Sequence, residues 1–557
     1  MGWLHAARPL PVANQPVIRH PWRGWLHPKA WVDHLVEQLT VLVLSACPAL
    51  LVSLGSWSRP AVLMGSDQDL LWASEALRVL RGLGPSYADH PGAFWTLLYA
   101  LNINILTWLS TQPLLDAAGR ISPAGLSAVV QHARVESGVV AGLTGYLCYW
   151  LAAGLGVRKP LAVLCAAVIS CSQPVLLAAA SIRHEPVSMV WMLSAACLLQ
   201  RLTAFSPQAW PRFWLSIATV VLVYAAAFSK QQVLIVWPLA FWIGLQPAIQ
   251  HHSVDTTTWL PRWRQRARST GLLLGGCGLA WVLCALPDLD LINLPAWMLI
   301  NLSFVVILML GRGELRGQPH WGSSLLWVTA VGLVITKGIA PNWWRQAVTG
   351  FPSWMLMFGR QQQSLQEQGT TVFKAILDYA TGLFALPQLA LAFLVVIGTA
   401  AAMLIIKPKP TASKQAGASN QHWPAIGVAW ILAIVIVLIC TARVNPPYAV
   451  YFFPPLMVVA VWSLNTALPV ATASRSHRWQ ENCITAGAIV LLASASLTSL
   501  SQLGDLSRYS QAALPEAWIC TSQNMDQAMA LTAVGRCNNF QQEAGKKSIF
   551  DDWHGPH

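Results

Sequence analysis

Apolar runs of bilayer-crossing length recur along the whole chain, and the loops between them hold most of its charge. They fall at 35–57, 129–152, 160–179, 187–204, 213–229, 231–247, 271–287, 295–311, 322–340, 381–406, 424–441, 447–468 and 484–501. A helix needs roughly 20 such residues to cross a hydrocarbon core of about 30 Å. Backbone in lipid must satisfy its own hydrogen bonds, so repeated apolar runs of this length call for a bundle of helices. Only 10% of the residues are charged, against about 25% in an ordinary soluble domain. That is too little charge to cover a water-exposed surface. A soluble enzyme, a disordered chain and a disulfide scaffold are excluded. The expectation is an all-α polytopic membrane protein of about thirteen transmembrane helices, with further helices lying on its outer face.

The formal net charge of +13 sits between apolar spans. It reads as the inward bias of basic loops rather than as a nucleic-acid footprint. The loops 153–159, 250–270, 407–423 and 469–483 are the most basic, and thirteen passes from a cytoplasmic N-terminus put all four inside. A fourteenth apolar stretch, 92–111, carries Asn102 and Asn104. If it crossed, the same four loops would lie outside, so it is expected at the surface or as a segment that dips in and returns. The resulting organisation is a cytoplasmic segment 1–34, a transmembrane domain 35–501 with a first outer loop 58–128, and a polar outer tail 502–557. The first apolar run follows a basic stretch with Arg8, Arg19, Arg23 and Lys29, as in an uncleaved signal anchor. Most of the 11 cysteines lie inside apolar runs as small core residues, whereas Cys520 and Cys537 share the polar tail. The location expected is a cell membrane of the bacterial inner-membrane type.

Acids are scarce, yet the first outer loop gathers Asp67, Asp69, Glu75 and Asp89. Leu70, Leu71, Ala73, Leu77 and Leu80 suit a helix lying on the membrane. Asp67 stands just ahead of it, where a helix start favours a carboxylate. An acidic cap on a solvated loop explains the same residues equally well.

The order of parts is more specific. Asp67-Gln68-Asp69, a surface helix, a Gly turn and Tyr87-Ala88-Asp89-His90-Pro91-Gly92 follow a membrane span. Arg134 opens the next span. Ser181-Ile182-Arg183-His184-Glu185-Pro186 forms the second outer loop, and Phe228-Ser229-Lys230 ends a later span. Arg443-Val444-Asn445-Pro446-Pro447-Tyr448 and Tyr451-Phe452-Phe453-Pro454-Pro455 stand near the C-terminal spans. This series, over roughly 31–465, resembles the GT-C glycosyltransferases, and among them the protein mannosyltransferase and aminoarabinose transferase group. Two positions depart from that pattern: Glu185 stands where an Asp is usual, and no Gly follows Lys230.

The resemblance implies a GT-C-like bundle that moves a sugar, with inversion, from a polyprenyl-phosphate donor to a lipid, glycan or protein acceptor on the outer side. It implies catalytic roles for Asp67, Asp69 and Glu185, with Asp67 as general base. Arg183, Lys230 and Arg443 would hold the donor phosphate; Tyr87, Asp89, His90, Arg134 and Tyr448 would bind substrate. A carboxylate can take the acceptor's proton, and fixed cations stabilise a departing phosphate. A divalent cation is a candidate cofactor. Membrane lipids are partners and nucleic acid is not. Plainer roles compete. Arg183 and Glu185 suit a simple ion pair, Lys230 and Arg443 suit interface residues, and His90 suits a turn before proline better than a metal site. Arg134 and Glu136 suit a mutual pair. The competing function is a transporter or flippase of a lipid-linked saccharide. That reading predicts inverted repeats and broken midplane helices, and neither stands out in the sequence.

Overall fold

The computed structural model describes residues 28–55, 93–109, 123–204, 230–252, 422–441 and 449–467, with single residues in 72–80 and 215–229. Regular structure among the described residues is helical. The runs at 271–287, 295–311, 322–340, 381–406 and 484–501 lie outside them, as does the tail with Cys520 and Cys537.

α1 is Pro28–Gly55, α2 is Ala93–Leu109 and α3 is Pro123–Gly154. α1 and α3 run antiparallel, and small residues let them approach. A Cβ at Gly138 would meet Ser53, and one at Gly142 would stand 2.5 Å from the Ala46 Cα. Gly138 and Gly142 are four apart, on one face of the helix, which is how glycines bring two helices together where lipid removes the hydrophobic drive. The same register continues to the far end of the pair. There the Tyr146 hydroxyl bonds Gln38 Oε1 at 3.2 Å and the Tyr149 hydroxyl donates to Glu37 Oε1 at 2.9 Å.

The run 160–179 is not one continuous helix. α4 is Lys159–Ser170 and α5 is Gln173–Ala179. The chain breaks at Cys171 and Ser172, just ahead of Pro174, which has no N–H to continue a ladder and fits the first turn of a new helix. Hydropathy cannot register such a break, because cysteine, serine and proline do not lower it enough. α6 is His184–Ala204. The run 231–247 opens as a 3₁₀ turn, Gln231–Ile235, before α7, Trp237–His252. α8 is His422–Thr441 and α9 is Ala449–Ala467.

Contacts sort the helix ends into two groups. At one end Lys159 Nζ meets Glu37 Oε2 at 2.7 Å, and Arg201 lies over the Trp150 ring. Asn465 Oδ1 accepts from the Arg158 N–H at 3.1 Å, and its Nδ2 donates to the Gly156 carbonyl at 3.2 Å. Gly156 takes φ +76°, a turn that side-chain-bearing residues avoid. At the other end the Ser53 hydroxyl donates to the Ala179 carbonyl at 2.8 Å. Arg183, Glu185 and Lys230 lie toward this second end, beyond Ala179.

Leu35–Gly55 and Ala449–Thr466 are long and apolar enough to cross a membrane. α9 is packed inside the described bundle, whereas α1 exposes Val32, Leu35, Val36, Leu39 and Val43, an apolar stripe at helical spacing. α2 spans 17 residues, about 25 Å at 1.5 Å per residue, short of a full hydrocarbon thickness. It is tied to α3 by the Tyr99 hydroxyl on the Val129 carbonyl and by Asn102 Nδ2 on Glu136 Oε1.

Candidate active site

Two segments 45 residues apart bring their charges together at the Ala179 end. The first is the start of α6. Pro186 suits a first turn, and Glu185 there places a carboxylate near the unpaired N–H groups and positive end of the helix. The Ser188 hydroxyl donates to the Glu185 carbonyl at 2.8 Å and secures the turn. The second is Lys230. Ser229 closes the preceding helical stretch, with its hydroxyl on the Ala225 carbonyl. The Lys230 N–H still bonds back to Ala226, and its carbonyl accepts from Val233 in the 3₁₀ turn.

Lys230 Nζ lies 3.6 Å from Glu185 Oε1, and both side chains are all but sealed from solvent, at 4% and 3% exposure. Glu185 Oε2 is buried without a hydrogen-bond partner among the described residues. Burial by itself would raise the Glu185 carboxyl; the attraction of Lys230, then of Arg183, outweighs it and holds the group near a pKa of about 2. Arg183 is half-buried and its Nε makes no hydrogen bond among the described residues. Among the described residues two cations face one carboxylate, and Glu185 Oε2 and Arg183 Nε have no hydrogen-bond partner. The cluster can take an anion on Arg183 and a donor group on Glu185 Oε2.

A third segment reaches the same place. Trp72 belongs to the helical turn of the first outer loop, and its ring centroid lies 3.7 Å from that of His184 at an interplanar angle of 68°. Trp72 and Ala76 are buried, and Val79 and Leu80 partly so. Among the described residues of this loop, 72, 76, 79 and 80 are turned wholly or partly into the protein. Of the apolar face expected at Leu70, Leu71, Ala73, Leu77 and Leu80, Leu80 alone lies among the described residues, and it is partly buried; Trp72 was not part of that expectation. The spacing of 72, 76, 79 and 80 was the available signal.

Arg134 is fully buried on α3. Glu136 receives its hydrogen bond from Asn102 on α2, not from Arg134, which is two positions away and points to another face of the helix. Asp67, Asp69, Tyr87, Asp89, His90, Arg443 and Tyr448 lie outside the described residues. Tyr451, from the same C-terminal element as Tyr448, is buried in α9. Among the described residues no three His, Cys, Asp or Glu side chains are grouped to hold a metal ion.

No family model matches the chain, and no curated protein matches it. Among solved structures it is similar to the archaeal oligosaccharyltransferase AglB from Archaeoglobus fulgidus in complex with an inhibitory peptide and a dolichol-phosphate. That match has 15% identity and a TM-score of 0.46, over 87% of this chain and 58% of that chain. Two further structures of the Archaeoglobus fulgidus oligosaccharyltransferase also match. The complex with Zn and sulfate has 14% identity and a TM-score of 0.39, over 87% of this chain and 55% of that chain. The apo form has 15% identity and a TM-score of 0.38, over 91% and 59%. The chain thus spans less than two thirds of the length of each.

Proposed function

We propose that this protein is an integral membrane glycosyltransferase of the GT-C type, moving a sugar from a polyprenyl-phosphate donor to an acceptor on the outer, periplasmic side of a cell membrane. The observation that carries the reading is the half-buried Arg183 set beside the sealed pair of Glu185 and Lys230. Two segments far apart in the sequence meet there, and among the described residues they bring two cations to one carboxylate whose Oε2 has no hydrogen-bond partner. A structural ion pair alone leaves Glu185 Oε2 and the second cation unexplained.

In the proposed reaction the Asp67 carboxylate removes the proton of the acceptor's nucleophile. The nucleophile bonds to the anomeric carbon, the carbon–oxygen bond to phosphate breaks, and the phosphate leaves with the bonding pair, inverting the centre. Arg183, with Arg443, stabilises the charge that develops on the phosphate. Lys230 is partly neutralised by Glu185, so its share in holding phosphate is smaller than a free lysine's. Glu185, with a pKa held near 2, is a weak proton acceptor near neutrality. It therefore acts by charge and by accepting a hydrogen bond from the sugar or acceptor, and the base is left to Asp67. Asp69, Tyr87, Asp89, His90, Arg134 and Tyr448 complete the substrate contacts in this reading.

The test is separate titration of donor and acceptor with Arg183→Ala. Loss of one charge-assisted hydrogen bond, about 1.5–3 kcal/mol, predicts roughly 10- to 150-fold weaker use of donor, with acceptor dependence unchanged. A defect confined to the acceptor removes Arg183 from the phosphate.

A further inference from the structure

The open polar atoms at the Ala179 end do not stop at Arg183 and Glu185. Gln232, two residues beyond Lys230, is partly buried, and its amide oxygen is sealed without a hydrogen-bond partner among the described residues. We propose that Gln232 is a specificity-determining residue of this site, its amide oxygen and Glu185 Oε2 together accepting hydroxyl groups of the donor sugar while the cations take the phosphate. The proposal rests on the function given above and deepens it: what the two acceptors read is a sugar with free hydroxyls, carried on the phosphate.

The backbone keeps Gln232 beside the charged pair. It is the second residue of the 3₁₀ turn Gln231–Ile235. The Val233 N–H donates to the Lys230 carbonyl at 3.1 Å, and the Val236 N–H to the Val233 carbonyl at 2.9 Å, so 230–236 is a closed, compact segment. Val233 and Val236 are fully buried and anchor it. Two residues of chain span at most about 7 Å, so Gln232 stays next to Lys230, whose Nζ lies 3.6 Å from Glu185 Oε1. The turn also packs against α6, the helix that opens with Glu185.

Glutamines that serve only the bundle behave differently. Gln200 Nε2 donates to the Leu151 carbonyl at 3.1 Å and Gln246 Nε2 to the Trp242 carbonyl at 3.2 Å, and neither leaves a sealed, unpartnered atom among the described residues. Gln232 does, beside a carboxylate that does the same. A sealed acceptor without a partner costs free energy in the empty protein. Phosphate cannot remove that cost. It is an acceptor itself, so it satisfies Arg183 and leaves Glu185 Oε2 and Gln232 Oε1 as they were. Sugar hydroxyls donate, and they supply what the two acceptors lack.

The test offers two lipids at equal concentration to the purified full chain: sugar-free polyprenyl phosphate and the glycosylated polyprenyl-phosphate fraction of the native membrane. The bound ratio is read by native mass spectrometry. Wild-type protein should favour the glycosylated lipid. Gln232→Leu should lower that preference by about 3- to 10-fold, the weight of one neutral hydrogen bond, while its binding of the sugar-free lipid stays within about twofold of wild type. Arg183→Ala, which acts on the phosphate, should weaken both lipids alike. A second readout separates recognition from structure. Without ligand, Gln232→Leu should melt no lower than wild type, because it replaces an unpaired buried amide with an apolar group. Gln232→Met, of similar length, serves if the leucine variant does not fold. An unchanged preference in a folded variant, a wild-type protein that does not favour the glycosylated lipid, or a clear fall in melting temperature or failure to fold in both variants overturns the proposal. A wild-type protein that binds neither lipid sinks the transfer reading itself, and the role of Gln232 with it.

Discussion

Lys230 holds the Glu185 carboxyl in its ionised form in a place that solvent barely reaches. Removing Lys230 weakens the countercharge: Lys230→Ala leaves the buried carboxylate with Arg183 alone, a loss of up to about 3–5 kcal/mol. Adding Glu185→Gln to Lys230→Ala should return much of that stability while transfer stays lost, which thermal melting and the transfer assay separate. The pair also sets a pH dependence. The Glu185 carboxyl is lowered from 4.5 to about 2, so the folded state binds this proton less readily than the unfolded chain. Its stabilising contribution is complete above about 4.5 and is lost as the pH falls through 2. Wild-type protein should lose stability across that window, and Glu185→Gln should lose less. A variant with the same acid profile as wild type contradicts the pairing. Arg183, Glu185 and Lys230 were marked in the sequence by their place in the GT-C-like series of motifs, and the structure brings their segments together. Trp72 was not, because a membrane protein with 29 tryptophans has a general use for them at its interfaces.

Among the helices, the close approach of α1 and α3 depends on two missing side chains. Gly142→Ala puts a Cβ 2.5 Å from backbone at Ala46, where no side chain can swing aside. The helices must part, at a loss of about 1–3 kcal/mol; an unchanged melting temperature would show that the contact carries no strain. At the turn between α3 and α4, Gly156→Ala should destabilise by about 1–2 kcal/mol because of its positive φ. The apolar runs announced α1, α3, α6, α8 and α9 in place, since each is long and continuous. Two irregularities escaped that signal: the break at Cys171 and Ser172, and the 3₁₀ turn after Lys230. Both depend on backbone geometry that hydropathy does not encode. The second one matters for the site, because it turns Lys230 out of a regular helix toward Glu185.

For the whole molecule, alternating helix direction gathers the Glu37, Gly156, Lys159 and Asn465 contacts at one end and Ser53 and Ala179 at the other. We propose that the Glu37 end is cytoplasmic, in line with the basic loops. Thirteen passes then leave the tail after Leu500 outside, where Cys520 and Cys537 can form a disulfide that contributes about 3 kcal/mol. Thiol labelling from the outer face should succeed only after reduction; a C-terminal reporter active only in the cytoplasm would contradict the pass count. In the proposed function the outer end transfers sugar from a lipid phosphate with Asp67 as base. The most direct test of this is mass spectrometry of the lipids, glycans and glycoproteins of membranes carrying wild-type protein or well-folded Asp67→Asn, whose amide cannot take the proton. Loss of a glycosylated product is expected, with a rate lower by about 10²–10⁴, together with accumulation of the polyprenyl-phosphate sugar. Identical profiles from the two proteins would contradict it.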